Sequence, residues 1–297
     1  MSQNHSNHDH HTGGENIKVA FFLNLSFTIL EIIGGLWTNS MAILSDALHD
    51  LGDSLSLGVS WFLQNYSKKG PDYKFSFGYS RFSLLGALLN SIVLLGGSVL
   101  ILSRALPRII NPEPVNAKGM IVFAVLGIIV NGAAVLRLKK GTSLNEEVVS
   151  WHLLEDVLGW VAVLIGSIIL LYKDIPRIDP ILSIGITIYI LYNVVKNLKK
   201  VLRVFLQAVT ENISIEEIEN EIQEKTEALS SHHTHIWTIE GERNMLSTHV
   251  VIPDSYKTKD IIDLKIKIRK ILAGKDIEHV TIEIEFESEE CEGKMFE

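Results

Sequence analysis

The chain has 297 residues and a formal net charge of −8, and the acidity is local: residues 1–205 hold 17 Lys+Arg and 14 Asp+Glu, whereas 206–297 hold 10 and 21. With 47% hydrophobic residues and a mean hydropathy of +0.24 it is too apolar for a disordered or collagenous chain, and seven prolines exclude a proline-rich one. The one cysteine, Cys291, permits neither an internal disulfide nor a thiolate metal cluster and suits the reducing cytosol.

Residues 1–16 carry His5, His8, His10 and His11 among polar residues without periodicity and read as a disordered, His-rich cytoplasmic tail. They lack the basic start and small-residue cleavage site of a signal peptide. From Ile17 an apolar stretch of about 20 residues recurs, closed each time by a polar or basic turn: Ile17 to Trp37, Met41 to Leu63, Phe82 to Leu102, Gly119 to Leu136, Val148 to Tyr172 and Asp179 to Val195. Each can cross ~30 Å of hydrocarbon at ~1.5 Å per residue. Lipid offers no partner to a backbone amide, so the expectation is six transmembrane helices over 17–205.

Six crossings put both termini on one side. Eleven basic residues lie in the connections on that side: Lys68, Lys69, Lys74, Arg81, Arg137, Lys139, Lys140, Lys196, Lys199, Lys200 and Arg203. Five lie opposite: Arg104, Arg108, Lys118, Lys173 and Arg177. Basic loops stay in the cytoplasm, so both termini are expected there, in a multi-pass protein of the inner or plasma membrane.

Residues 206–287 read as a soluble α+β domain, and 288–297 as an acidic tail. Ser214-Ile-Glu-Glu217 is a capping box opening an amphipathic helix toward Leu229. Alternating runs from His235 to Glu240 and Met245 to Ile252 predict strands. Apolar residues at helical spacing from Tyr256 to Leu272 predict a second helix, and His279 to Phe286 a last strand. A core of about 80 residues is thin, which favours pairing with a second copy.

The chemistry lies in two spans. Span two reads Ser45-Asp46-Ala-Leu-His49-Asp50-Leu-Gly-Asp53 and span five Trp151-His152-Leu-Leu-Glu155-Asp156. Each contains His-x-x-x-Asp, and a spacing of four puts His49 with Asp53, and His152 with Asp156, on one helix face. Two such faces turned toward each other present two imidazoles and two carboxylates, the donor set of tetrahedral Zn²⁺. Unpaired ionisable groups at membrane depth cost ~2.5 to 3.5 kcal/mol each, which a bound dication offsets. Asp46, Asp50 and Glu155 offer acceptors that fix a His tautomer, or line a wet cavity. Glu31, Asn24, Asn90 and Asn131 read as helix-packing polar groups.

With Phe77-Gly78-Tyr79-Ser80-Arg81 before span three, Gly86-Ala-Leu-Leu-Asn90 within it and His235-Ile-Trp237 in the soluble part, these motifs resemble the cation diffusion facilitators, particularly the bacterial cobalt-zinc-cadmium resistance type. The resemblance runs from about Ile17 to Phe286. It implies a homodimer of six-helix units with a ferredoxin-like, metallochaperone-like cytoplasmic domain, exporting Zn²⁺ in exchange for protons. It makes His49, Asp53, His152 and Asp156 the transport site, and His49 argues against a manganese or iron exporter. It also implies a second zinc site, with zinc as a regulatory ligand, at His232, His249, His279 and Glu285. His233 and Glu283 are close rivals for two of these positions, and His235 with Trp237 reads as packing. Two departures stand out: Ser83 where members often have Glu, and a loop between spans two and three (residues 65–76) with Asp72 as its one His or Asp residue, where no metal is expected.

Zinc needs neutral imidazole and ionised carboxylate, so protons compete for the same four side chains, and imidazole titrates near pH 6.5. No G-x-x-x-x-G-K-[ST] loop indicates ATP use. An intramembrane zinc hydrolase would need an open metal position and commonly His-Glu-x-x-His, which is missing, so no enzyme is expected. A membrane sensor that binds zinc without moving it uses the same residues and stays open. Cd²⁺ and Co²⁺ are not distinguished from Zn²⁺ by donor type. The acidic soluble part would be repelled by nucleic acid.

Overall fold

The structure is a computed structural model and describes residues 12–67, 69–138, 144–173 and 175–289. The four N-terminal histidines and Cys291 lie outside the described residues. The chain forms two compact units: residues up to 65 with 85–198, and residues 66–84 with those from 199 onward.

The first unit is helical: α1 (Thr12–Thr38), α2 (Met41–Ser67), α3 (Phe82–Ile110), α4 (Ala117–Leu138), α5 (Leu144–Tyr172) and α6 (Ile178–Phe205). All six coincide with the apolar stretches, and most outrun them. α1 starts at Thr12, five residues inside the expected tail, and α3 and α6 continue past Leu102 and Val195 to Ile110 and Phe205. Hydropathy ends where charges begin, whereas backbone hydrogen bonding continues through Arg104 and Lys199 at little cost in a wet flank. Among the described residues, five of the helices are long and apolar enough to cross a membrane. α2 is not one of them by composition, because Asp46, Asp50 and Asp53 fall in its first half. Large side chains such as Leu23, Leu36, Ile110, Val122 and Leu136 are more than 60% exposed. In water such a surface would be unfavourable, and in lipid it is the expected outer face.

Polar groups and close backbone approaches fix α2 among its neighbours. Asp179, at the start of α6, accepts from Ser40 Oγ (2.5 Å) and from the backbone N–H groups of Met41 (2.7 Å) and Ala42 (3.2 Å). One buried carboxylate thereby satisfies the donors left open at the N-terminus of α2, with a favourable charge for the helix dipole. Ser45 and Ser183 meet at 2.6 Å, and Thr187 donates to Ser45 at 3.2 Å. From α1, Asn24 donates to the carbonyl of Asp50 and to Ser54 Oγ, both at 3.1 Å. On α3, Asn90 donates to Ser56 at 2.8 Å. A Cβ on Gly52 would stand 2.6 Å from Leu94 Cδ2, and one on Gly97 2.3 Å from Leu48 Cδ1, so both glycines are needed for α2 and α3 to close.

The second unit holds α7 (Ile215–Lys225), β1 (Ser230–Thr238), β2 (Asn244–Ile252), α8 (Thr258–Ala273) and β3 (Ile277–Phe286), the element order read from the sequence. Ser214 caps α7 by accepting from the N–H of Glu217 at 3.3 Å. The helix stops four residues short of Leu229 because Thr226 turns extended and spends its hydroxyl on the carbonyl of Ile222 at 2.6 Å. The small sheet is mixed, in the order β1-β2-β3, with β1 and β2 antiparallel and β2 and β3 parallel. Leu246, Val250 and Ile252 on one face pack with Ile218 and Ile222 of α7 and Leu264, Ile268 and Leu272 of α8. The odd-numbered residues of β2 therefore point away from the helices.

Candidate metal sites

In the helical unit, His49 Nε2 on α2 lies 4.0 Å from Asp53 Oδ2, one turn along the same helix, and 3.7 Å from Asp156 Oδ1 on α5. Asp156 is buried and His49 and Asp53 are half-buried. Both separations are too long for a good hydrogen bond. Donors around a tetrahedral zinc at ~2.0–2.1 Å stand ~3.3 Å apart, so small rotamer changes let a shared cation fit between them. His152 is in α5, one turn before Asp156, and its side chain lies outside the described residues. Asp46 and Asp50 are both buried. Glu155, also on α5, lies near Tyr189 of α6.

In the second unit one group draws tighter. His232, His249 and Glu285 each offer a donor atom within 4.8 Å of the others, the one His/Cys/Asp/Glu group of three among the described residues to do so. His249 Nδ1 is 2.5 Å from Glu285 Oε1, and His232 Nε2 is 3.3 Å from Glu285 Oε2. Although buried, His232 Nε2 has no hydrogen bond among the described residues. A buried ring nitrogen aimed at a carboxylate without bonding it suits a metal ligand.

The sheet register explains the selection. His249 pairs across to His232 on β1 and to Glu283 on β3, and Glu285 stands one same-face step further. Glu283 Oε2 lies 3.4 Å from His249 Nε2, so this rival also faces the group. His279 is on the same face but pairs with Met245, four residues before Glu283. That offset is ~13 Å along a strand, and its ring instead meets Phe77 edge-on at 6.1 Å. The geometry thus gathers His232, His249 and Glu285 and leaves His279 aside.

Sequence patterning missed a bulge. Pairing shifts by one residue between His232 and His235, with His233 at φ +50°. Without it His232 and His235, three apart, would face opposite sides; with it both share the face of His249. The His233 ring sits 5.0 Å from that of His249 and 4.7 Å from that of His235.

The Phe77–Arg81 motif belongs to the same unit as the sheet. Arg81 Nε donates to the carbonyl of Ile239 at 3.1 Å. Arg243 donates to Ser80 Oγ and, at 2.6 Å, to Glu240 Oε1. Gly78, at φ +80°, adopts a turn conformation strained for other residues. Within the turn, Asp72 accepts from Tyr79 Oη at 2.7 Å and from the N–H groups of Lys74 and Phe75 at 2.9 and 2.8 Å, which holds its carboxyl down to about 2. Its oxygens serve the turn. The motif and the β1 edge, including His235 and Trp237, line an open cavity of about 750 Å³.

Comparison with known proteins gives a consistent result. Residues 17–206 match the cation efflux transmembrane domain. The chain is 34% identical over 98% of its length, and 92% of the relative's, to the metal cation efflux system protein CzcD of Cupriavidus metallidurans. It is 32% identical, over 97% of its length and 96% of the relative's, to a cadmium, cobalt and zinc/H(+)-K(+) antiporter of Bacillus subtilis. To the zinc transporter ZitB of Pectobacterium atrosepticum it is 31% identical over 97% of its length and 90% of the relative's. A full-length match joins the paired His-x-x-x-Asp helices to a metal-efflux family, and the chain belongs to the cation diffusion facilitators of the cobalt-zinc-cadmium type, multi-pass membrane proteins of metal efflux.

Proposed function

We propose that the chain exports Zn²⁺ from the cytoplasm in exchange for protons through His49, Asp53, His152 and Asp156. The carrying observation is that one imidazole nitrogen on α2 faces carboxylates from its own helix and from α5 at 4.0 and 3.7 Å. Open to the cytoplasm, neutral imidazoles and ionised carboxylates load zinc. Turned to a more acidic outer medium they take protons and release it. The two flows are coupled because they compete for the same lone pairs. Relatives named for zinc, cadmium and cobalt support this substrate class, and the antiporter name supports exchange.

The reading includes six crossings by α1 to α6. α2 joins the apolar five because its aspartates face the site and not lipid, and the basic connections keep both termini in the cytoplasm of the inner or plasma membrane. It takes the working form as a homodimer. His232, His249 and Glu285, with Glu283 beside them, hold zinc as a regulatory ligand in a domain of ferredoxin-like type. The test is zinc uptake by proteoliposomes under an imposed pH gradient. Gradient-dependent accumulation, lost in Asp53→Ala with Asp156→Ala, is the expected result; binding without flux would make the protein a sensor.

A further inference from the structure

The cavity between the Phe77–Arg81 turn and the β1 edge differs in charge from the chain around it. Residues 206–297 hold 21 Asp+Glu against 10 Lys+Arg, yet among the described residues the cavity lining includes Lys74 and Arg81 and no carboxylate. Nearby cations are neutralised in place, Lys69 by Asp72 at 3.4 Å and Arg243 by Glu240 at 2.6 Å. Lys74 is exposed, and Arg81 spends its Nε on the carbonyl of Ile239. Neither charge is answered by an ion pair among the described residues. The walls beside them are aromatic, with Phe75, Phe77 and Trp237, and the first two rings are exposed.

Chain continuity says where this cavity lies. Its lining includes Phe82, the first residue of α3, and Gln207, two residues beyond the end of α6. Both helices are long and apolar enough to cross a membrane, so the cavity sits at the ends of two crossings, at the depth of lipid headgroups. Aromatic rings and basic side chains at that depth match the two parts of an acidic phospholipid: rings pack against glycerol and the first acyl carbons, and cations attract the phosphate. The volume, about 750 Å³, falls within the ~300–1,000 Å³ of small-ligand sites. We propose that this cavity binds the headgroup of an acidic phospholipid, its phosphate held by Lys74 and Arg81 and its glycerol against Phe75, Phe77 and Trp237. A free phosphate would use the cations alone; the aromatic walls are what favour a lipid. The site is independent of the zinc-site reading.

The experiment titrates the purified full-length protein in detergent with dioleoylphosphatidylglycerol and, separately, with dioleoylphosphatidylcholine, and counts lipids bound per chain by native mass spectrometry. The expected result is one phosphatidylglycerol bound per chain ahead of the rest, about tenfold tighter than phosphatidylcholine. Lys74→Gln, an exchange at an exposed side chain that leaves the turn's own hydrogen bonds in place, should weaken that first binding about fivefold. Arg81→Gln should weaken it at least as much. Lys173→Gln removes a basic residue next to the end of α5, away from the cavity lining, and should leave it unchanged. Equal first binding in Lys74→Gln and the unaltered protein overturns the proposal, as does an equal loss in Lys173→Gln, which would mean diffuse attraction to any basic residue near the membrane. Phosphatidylcholine bound as tightly as phosphatidylglycerol also overturns it. So does displacement of the lipid by inorganic phosphate at the lipid's own concentration, since the rings would then contribute nothing.

Discussion

The group on α2 and α5 and the group on the sheet use the same donors, imidazole and carboxylate, on different scaffolds. On α2 and α5 the described donors are 3.7 to 4.0 Å apart, held by two helices that meet through side chains. On the sheet they are 2.5 to 3.4 Å apart, and His232, His249 and Glu283 are register partners in one hydrogen-bonded ladder. A ladder fixes the backbone positions from which its side chains project, and in the proposed function the sheet group holds an ion that stays. Helices can slide or tilt without breaking backbone hydrogen bonds, so the wider group suits an ion that must leave on the other side.

The sharpest break between the two is zinc flux. Asp53→Ala with Asp156→Ala is expected to lower proteoliposome flux by more than the ~10- to 100-fold that loss of an outer hydrogen-bond partner costs a metal site. His249→Ala is expected to leave flux measurable and remove one bound zinc per chain by equilibrium dialysis; abolition of flux by His249→Ala would erase the distinction. Next comes stability. Leu246, 0% exposed in the core of the second unit, should cost about 2–5 kcal/mol as Leu246→Ala. In a denaturant titration followed by zinc content, the sheet zinc should be lost first, and simultaneous loss of both would contradict separate scaffolds.

Two smaller effects test the edges of the second unit. Ser214→Ala should cost about 1 kcal/mol through the open end of α7, read from the same titration. Asp72 is held at about 2, below its ordinary 3.8, first by the Tyr79 hydroxyl and then by the Phe75 and Lys74 amides. A depressed carboxyl stabilises the turn fully above pH ~4, and that contribution fades as pH falls toward 2. Tyrosine fluorescence should therefore report a change at Tyr79 over that interval, absent in Asp72→Asn.

How much could be read beforehand follows from which interactions are periodic. The helices were legible because lipid demands uninterrupted apolar runs, and His49 with Asp53 because a spacing of four is a face on any helix. The β1 bulge was not, since one extra residue at His233 leaves no mark in hydrophobic alternation, and it decides which histidines share a face. His279 was drawn into the sheet group by similarity and lies aside because distance along a strand is set by parallel register, invisible in composition. The burial of Glu31 without a hydrogen-bond donor among the described residues was equally hidden, because an acidic residue in an apolar run looks the same whatever its neighbours offer.

The most direct test of the proposed transport site is zinc X-ray absorption on the full-length protein carrying His232→Ala and His249→Ala, so that the remaining zinc reports α2 and α5. Four nitrogen and oxygen donors at ~2.0–2.1 Å, with imidazole scattering that weakens in His49→Ala, are expected. A six-coordinate oxygen shell, or a spectrum unchanged by His49→Ala, would contradict it.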